Sequence, residues 1–383
     1  MTERRAEAAT GSKHRLMQVI YKDRFRPGLP ATFLARIWVR LGLESDQKYR
    51  DKGWSSYAER VQYKLLKFRA NLWSRKTTRQ VDRLADNIRS ERLFDRYCNQ
   101  AQEPGPALAS GEVTFKHSGN AGDLIYALPA MKAICGARSA RLFLKMDVPV
   151  NGWTLQQHPL GRSGLTADVA NKLKPLLEHQ PWVAGVQVHQ HETVDYDLDA
   201  FREVPNIKHD RGDIMRWYFW LFAVHGDLSR PWLEIRPAEA ASRRIVLARS
   251  SRYRNPNLDY GFLREAGEID FVGTRSEFEE MRGHIPQLRH AECTDFLHLA
   301  RIIQAARFFI GNQSFPYSLA EALKVPRILE VYPECPNVVP AGPNVGEAFF
   351  QPHFERLVRR FQQTTAADAL AAPREADCCG VVP

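Results

Sequence analysis

The stretch Lys116–Met131, KHSGNAGDLIYALPAM, decides the fold class of this 383-residue chain. It follows a short apolar run at 113–115 and reads as strand, glycine loop and helix start. Gly119 and Gly122, on either side of Asn120, permit a tight turn and a close approach of backbone to ligand, because glycine carries no Cβ. Leu124, Leu128, Met131 and Ile134 then recur at helical spacing. One carboxylate, Asp123, stands at the mouth of the loop. Open α/β sheets bind ligands where parallel strands end, so Asp123 is a candidate site residue. The competing reading is an ordinary loop whose Asp simply favours a helix start.

Outward from this loop the chain alternates strand and helix. A Pro/Gly-rich linker at 102–111 (QEPGPALASG) precedes it. Strands are predicted at 113–115, 140–144, 183–188 and 196–198, with helices from 124, over 167–177 and over 214–224. After a second linker at 235–242 (IRPAEAAS) the alternation restarts. Its strands fall at 244–248, 269–272, 308–310 and 327–331, with helices at 260–265, 276–282, 297–306 and 318–323. Two such series predict an α/β fold of two Rossmann-like halves facing a cleft, over 112–234 and 243–350. A last helix at 354–361 opens the terminal segment, 351–383, and would pack back across the halves.

The second landmark is the stretch 308–330, FFIGNQSFPYSLAEALKVPRILE. Asn312, Gln313 and Ser314 lie where strand gives way to helix, and Pro316 suits the first helical turn. The free N–H groups and dipole of that helix start make an anion site suited to a diphosphate.

Charge is unevenly distributed. The net charge is +10, yet residues 1–100 hold 23 Lys and Arg against 11 Asp and Glu, while the rest hold 31 against 33. The basic character therefore belongs to a helical N-terminal extension, 1–101, attracted to an anionic surface. After a start (1–15) that reads as disordered, it carries three apolar stripes. They are Phe33, Leu34, Ile37, Trp38 and Leu41; Tyr57, Val61, Leu65, Phe68 and Leu72; and Val81, Leu84, Ile88 and Leu93. Arg60, Lys64, Lys67 and Arg69 flank the second. These helices either cap the body or lie against an anionic membrane surface through residues 30–97. No zinc-finger, RRM-like or helix-turn-helix signature points to nucleic acid. There is no run of 18 apolar residues, and six cysteines lack metal-ligand spacing, Cys378-Cys379 lying in a tail of small residues. A cytoplasmic protein, peripheral at the inner membrane face, is expected.

Other groups compete for attention. Asp195, Asp197 and Asp199 (DYDLD) imitate a metal-binding Asp-x-Asp pattern, but surround a predicted strand. His189 and His191 would share one face of a strand, without further ligands. Lys116 and His117 either face the cleft or simply end a strand. No Ser-His-Asp elbow, P-loop or paired-Cys motif occurs.

Together the two landmarks resemble the ADP-heptose:lipopolysaccharide heptosyltransferases and their relatives, the family 9 glycosyltransferases of GT-B fold. The first segment matches through Gly122-Asp123-Leu124-Ile125 and Pro129-Ala130, the second through Ser314, Leu319, Ala322, Leu323 and Pro326. Between them, 246–254 (VLARSSRYR) falls where the family has a strand and then Ser/Thr with a basic residue. Phe271-Val272-Gly273-Thr274 with Glu277 falls at the family's nucleoside loop. The resemblance spans about 112–362. Departures are Gln313 for Asp, Phe315 for Gly and Ser318 for His.

The resemblance implies inverting, metal-independent sugar transfer from a nucleotide-diphosphate donor to a glycan or glycolipid acceptor, without a cofactor, in lipopolysaccharide biosynthesis. Asp123 would be the base. Ser250, Arg252, Arg254, Asn312, Gln313, Ser314 and Ser318 would hold the donor phosphates, and Gly273, Thr274 and Glu277 the nucleoside. Arg252 or Arg254 would replace the charge lost with the histidine, since arginine forks onto phosphate. Two alternatives stand beside it. One is a catalytically degenerate GT-B protein that binds a nucleotide sugar or a protein partner. The other is a different two-Rossmann enzyme, such as a nucleotide-sugar epimerase.

Overall fold

The computed structural model describes residues 49–102, 111–148, 164–235 and 244–363. The predicted stripe from Phe33 to Leu41, nearly all of both linkers and the Cys378-Cys379 tail lie outside them. The chain divides into two compact units, described separately below. One is Met1–Tyr97 with Arg202–Ile207, the other Cys98–Phe201 with Lys208–Pro383.

In the smaller unit, α1 (Tyr57–Trp73) and α2 (Arg75–Gln102) are separated by one extended residue, Ser74. Ser56 caps α1 by accepting from Glu59 N at 3.3 Å, while the Glu59 carboxylate takes Ser55 N and both arms of Arg92. Such a cap satisfies donors that a helix start leaves open. Tyr63 Oη donates to Asp82 at 2.6 Å, and Ala70 and Leu93 are wholly buried. Asn206 N donates to Ser90 Oγ, fastening 202–207 to α2. No described helix is long and apolar enough to cross a membrane.

The larger unit contains two all-parallel sheets. In chain order its first half runs β1 (Glu112–His117), α3 (Ala121–Cys135), β2 (Ser139–Leu144), α4 (Ala167–Glu178), β3 (Val183–Val188), β4 (Tyr196–Asp197) and α5 (Ile214–Phe222). Its strands are ordered β3-β2-β1-β4. The second half runs β5 (Ile245–Ala248), β6 (Ile269–Phe271), α6 (Arg275–His284), β7 (Arg289–His290), α7 (Phe296–Ala305), β8 (Phe308–Asn312), α8 (Phe315–Leu323), β9 (Arg327–Glu330), β10 (Val345–Ala348) and α9 (Gln351–Gln363). Its order is β10-β9-β8-β5-β6-β7. Every residue of β5, β8 and β9 is buried, as expected for parallel strands covered on both faces.

Several expectations change. The helix predicted at 260–265 is a single 3₁₀ turn, Gly261–Glu265. The short strands β7 and β10 had no periodicity long enough to be read. Helix α3 begins at Ala121, so Asp123 sits inside its first turn. His189 and His191 lie beyond the end of β3, so strand alternation does not relate them. Phe354, Leu357, Val358 and Phe361 of α9 join the core of the second sheet with Ile245, Leu247 and Phe308. The two halves meet through α3 against α8 and α4 against α7. There Trp232 Nε1 donates to Ile125 O at 3.1 Å and Trp232 N to Ala322 O at 3.0 Å.

Candidate functional site

The first-half loop is held from beneath. His117 is wholly buried; its Nδ1 accepts from Gly119 N at 3.0 Å, which places the neutral ring's proton on Nε2, facing Tyr218 Oη at 3.3 Å. Lys116 pairs with Asp197 at 2.5 Å. Both residues therefore support the loop and do not face a ligand. The DYDLD run forms a ladder onto β1: Asp195 accepts from Thr114 N and Oγ1, Asp197 takes Lys116, and Asp199 accepts from Ser118 N. Asp195 before β4, Asp197 within it and Asp199 in the 3₁₀ turn after it together tie this segment to β1 and the residue that follows it.

At the loop's end Asn120 occupies the N-cap of α3 without a side-chain capping bond, and its Oδ1 is buried with no partner among the described residues. Asp123 follows in the first turn. One turn later Tyr126 is almost completely buried, and its hydroxyl also lacks a partner among the described residues.

The second half sets one arginine apart from two others. Arg249 forks onto the buried Glu330 carboxylate (2.9 Å for each arm), which also accepts from Asn255 N and Tyr260 Oη. Arg254 is committed to Glu280 and to the Ser250 carbonyl. Arg252 has no salt-bridge partner among the described residues, and its Nε is buried without an acceptor. Its guanidinium stands 5.3 Å from the centre of the Tyr253 ring. Burial pushes Arg252 below the ordinary arginine value, against the opposing pull of Tyr253, Asp123 and Glu277.

Two amides shape the loops around it. Asn312, fully buried, accepts from Ser250 N and donates to the carbonyls of Ser250 and Arg252. Gln313 donates to Cys335 O and Asn337 Oδ1 and accepts from Tyr332 N. Ser314 occupies the N-cap of α8 but turns its hydroxyl back to Asn312 O, leaving the helix start uncapped by a side chain. Ser318 Oγ donates to Phe315 O at 2.7 Å. Thr274 and Glu277 form a capping box on α6, and the other Glu277 oxygen accepts from Ser251 N. A Cβ at Gly273 would meet the Phe271 ring at 2.7 Å, so that loop requires glycine.

Two adjoining cavities result. The larger, about 600 Å³, lies past the C-terminal ends of β5, β6 and β7 and reaches Ser250, Arg252, Gly273, Thr274, Glu277, His290 and Ser314. The smaller, about 130 Å³, is lined by Asn120, Gly122, Asp123 and Tyr126 from the first half and by Arg252, Gln313 and Ser314 from the second. Arg252, Phe296 and Phe315 line both, the two rings 4.3 Å apart. A Cβ at Gly122 would stand 3.9 Å from both Phe315 Cα and Ser318 Oγ, which measures how closely the two loops approach.

Of the residues expected at the site, Gly119, Arg254, Asn312 and Ser318 line neither cavity: Gly119 N donates to the His117 ring, Asn312 and Ser318 hold backbone carbonyls, and Arg254 holds Glu280. Tyr126, Phe296 and His290 are additions. Tyr126 was accessible to sequence reasoning, lying three residues beyond Asp123 on the same helical face; Phe296 and His290 carried no comparable signal.

No protein-family model matches the chain, and no curated protein matches it. Among solved structures it is similar to E. coli heptosyltransferase WaaC with ADP-2-deoxy-2-fluoro heptose, at 13% identity and a TM-score of 0.39, over 65% of this chain and 99% of that one. It is also similar to the glycosyl transferase family 9 protein from Veillonella parvula, at 10% identity and a TM-score of 0.41, over 66% and 90%. A third is E. coli ADP-heptose lps heptosyltransferase II, at 11% and 0.37, over 65% and 99%. At this degree of likeness the functional argument rests on the residues themselves.

Proposed function

We propose that the chain is a glycosyltransferase of GT-B type that moves a sugar from a nucleotide-diphosphate donor to a glycan or glycolipid acceptor. The observation that carries this reading is the small cavity. It joins a carboxylate, Asp123, on one half to a half-buried cation without a carboxylate partner among the described residues, Arg252, and the open start of α8 on the other. The nucleoside takes the larger cavity at the strand ends, where open α/β sheets bind such groups. The diphosphate lies at Arg252 and the α8 start.

Asp123 takes the proton of the acceptor hydroxyl as its oxygen bonds to the anomeric carbon. The bond from that carbon to the diphosphate breaks, the leaving oxygen keeps the electron pair, and Arg252 with the α8 N–H groups meets its charge. Attack from the face opposite the leaving group inverts the anomeric centre. In this proposal Arg252 and the helix start neutralise the leaving group without a metal or cofactor, and the enzyme works in the cytoplasm at the inner membrane face.

Titration calorimetry against ADP, UDP, GDP and CDP tests the donor site; nucleotide release from the matching sugar donors tests transfer. The degenerate alternative draws on Phe315 and Ser318, which place a ring at the start of α8 and a small buried hydroxyl within it. Binding without turnover on any acceptor would favour it, and no binding to any of the four would overturn both.

A further inference from the structure

We infer that the outward face of α1 is a docking surface for anionic phospholipid. Leu65, Phe68 and Leu72 are 47%, 64% and 72% exposed. At about 100° per residue these three fall within about 60° of one another on the helix, and Arg69 and Lys64 lie roughly 40° beyond its two edges. The opposite side faces inward: Ala70 is wholly buried and Tyr63 reaches Asp82 of α2. The stripe is therefore not part of the contact between α1 and α2.

The surrounding charge has one sign. Among the described residues the nearby carboxylates are already engaged, Glu59 with Arg92, Asp82 with Lys67 and Asp86 with Arg89. Lys64, Arg69, Arg75 and Lys76, by contrast, have no carboxylate partner among the described residues. An apolar stripe edged by uncompensated cations fits an interface of acyl chain and anionic headgroup, with long basic side chains reaching outward to the headgroups. The convex face of a single helix encloses no small ligand, whereas a fluid planar surface meets it along its full length.

The test is co-sedimentation of the full chain with vesicles of phosphatidylglycerol and phosphatidylcholine (1:1), and with phosphatidylcholine alone. Binding is expected only to the anionic vesicles, and it should weaken as salt rises. Leu65→Ser/Phe68→Ser/Leu72→Ser should reduce it about 100-fold or more, since three large apolar side chains are lost from the interface. Lys64→Ser/Arg69→Ser should reduce it about fivefold per cation. These side chains are already exposed, so helical circular dichroism should be unchanged. Wild type left in the supernatant, or serine variants that still sediment equally, overturns the inference. So does a stripe whose loss alters self-association in gel filtration while vesicle binding persists, because the occupant is then a second copy. The vesicles carry no nucleotide, so failure here leaves the donor-site reading intact, and failure of calorimetry leaves this one intact.

Discussion

Replacing Arg252 by Met should leave the unliganded fold as stable as before, or more so, while removing most of the affinity for a nucleoside diphosphate. The structural basis is an asymmetry among three neighbouring arginines. Arg249 and Arg254 are tied to Glu330 and Glu280, whereas Arg252 is half-buried, with a buried Nε that finds no acceptor among the described residues. Removing it relieves a desolvation penalty and sacrifices one ring contact with Tyr253. Binding is where the loss appears. A hydrogen bond to a charged group contributes about 1.5–3 kcal/mol, and a guanidinium fork on phosphate makes two. Allowing for partial replacement by water, a loss of about 3–4 kcal/mol follows, or roughly 150- to 900-fold in Kd. Calorimetric titration with the tightest nucleoside diphosphate gives the affinity, and scanning calorimetry of the free protein gives Tm. Arg252→Lys should fall between, because it keeps charge and loses the fork. A variant that melts clearly below wild type yet binds nucleotide equally would show Arg252 to be structural and refute the reasoning.

Asp123→Asn should abolish transfer while leaving nucleotide Kd within about threefold, because the base acts on the acceptor and not on the diphosphate; retained turnover in a product assay would remove Asp123 from the mechanism. Arg249→Met strands the fully buried Glu330 carboxylate and should cost about 3–5 kcal/mol in denaturant unfolding, the reverse of the Arg252 result. Gly122→Ala should fold normally, since its Cβ would meet Phe315 and Ser318 at 3.9 Å, an ordinary contact, whereas Gly311→Ala should not, its Cβ meeting the Phe309 ring at 2.6 Å; soluble yield and thermal melts compare them. Burial lowers Lys324 to about 8 from 10.5, although Glu321 pulls the other way and is shared with Arg327. Between those pH values the unfolded chain holds the extra proton, so this group's contribution to stability rises from pH 8 to 10.5, and Lys324→Met should flatten that rise in paired urea titrations.

What could be read from sequence tracks how local each cause is. The strand-loop-helix at Lys116–Met131 was legible because apolar runs, two glycines and helical spacing all lie within one window. The α8 start was legible for the same reason, through Pro316. The assignment of polar loop residues was not, because their roles depend on partners far along the chain. Asn312 and Gln313 have the chemistry of phosphate ligands, yet their amides are consumed by Ser250, Arg252, Tyr332, Cys335 and Asn337. Arg252 and Arg254 are equivalent as letters; only the approach of Glu280, 26 residues from Arg254, separates them. The DYDLD run likewise acquires its meaning 81 residues away, on β1.

The side chains at 313, 315 and 318 are each committed to contacts within the chain. Gln313 faces two acceptors, Cys335 O and Asn337 Oδ1, through its Nε2, so an aspartate there would place a carboxylate against them with no proton to give. Ser318 is wholly buried, and its hydroxyl lies 3.9 Å from where a Gly122 Cβ would stand; a histidine in that position would have to push α3 and α8 apart. Phe315 turns its ring onto Phe296, so the wall between the two cavities is aromatic. All three are thus held by packing or hydrogen bonds within the chain, and the cation that lines both cavities without a carboxylate partner among the described residues is Arg252. A diphosphate seated there would depend on that single guanidinium and the helix start, while the aromatic wall would choose among donors by the shape of what lies on either side of it. Donor selectivity in this chain should therefore follow Phe296 and Phe315 more than the number of its phosphate contacts.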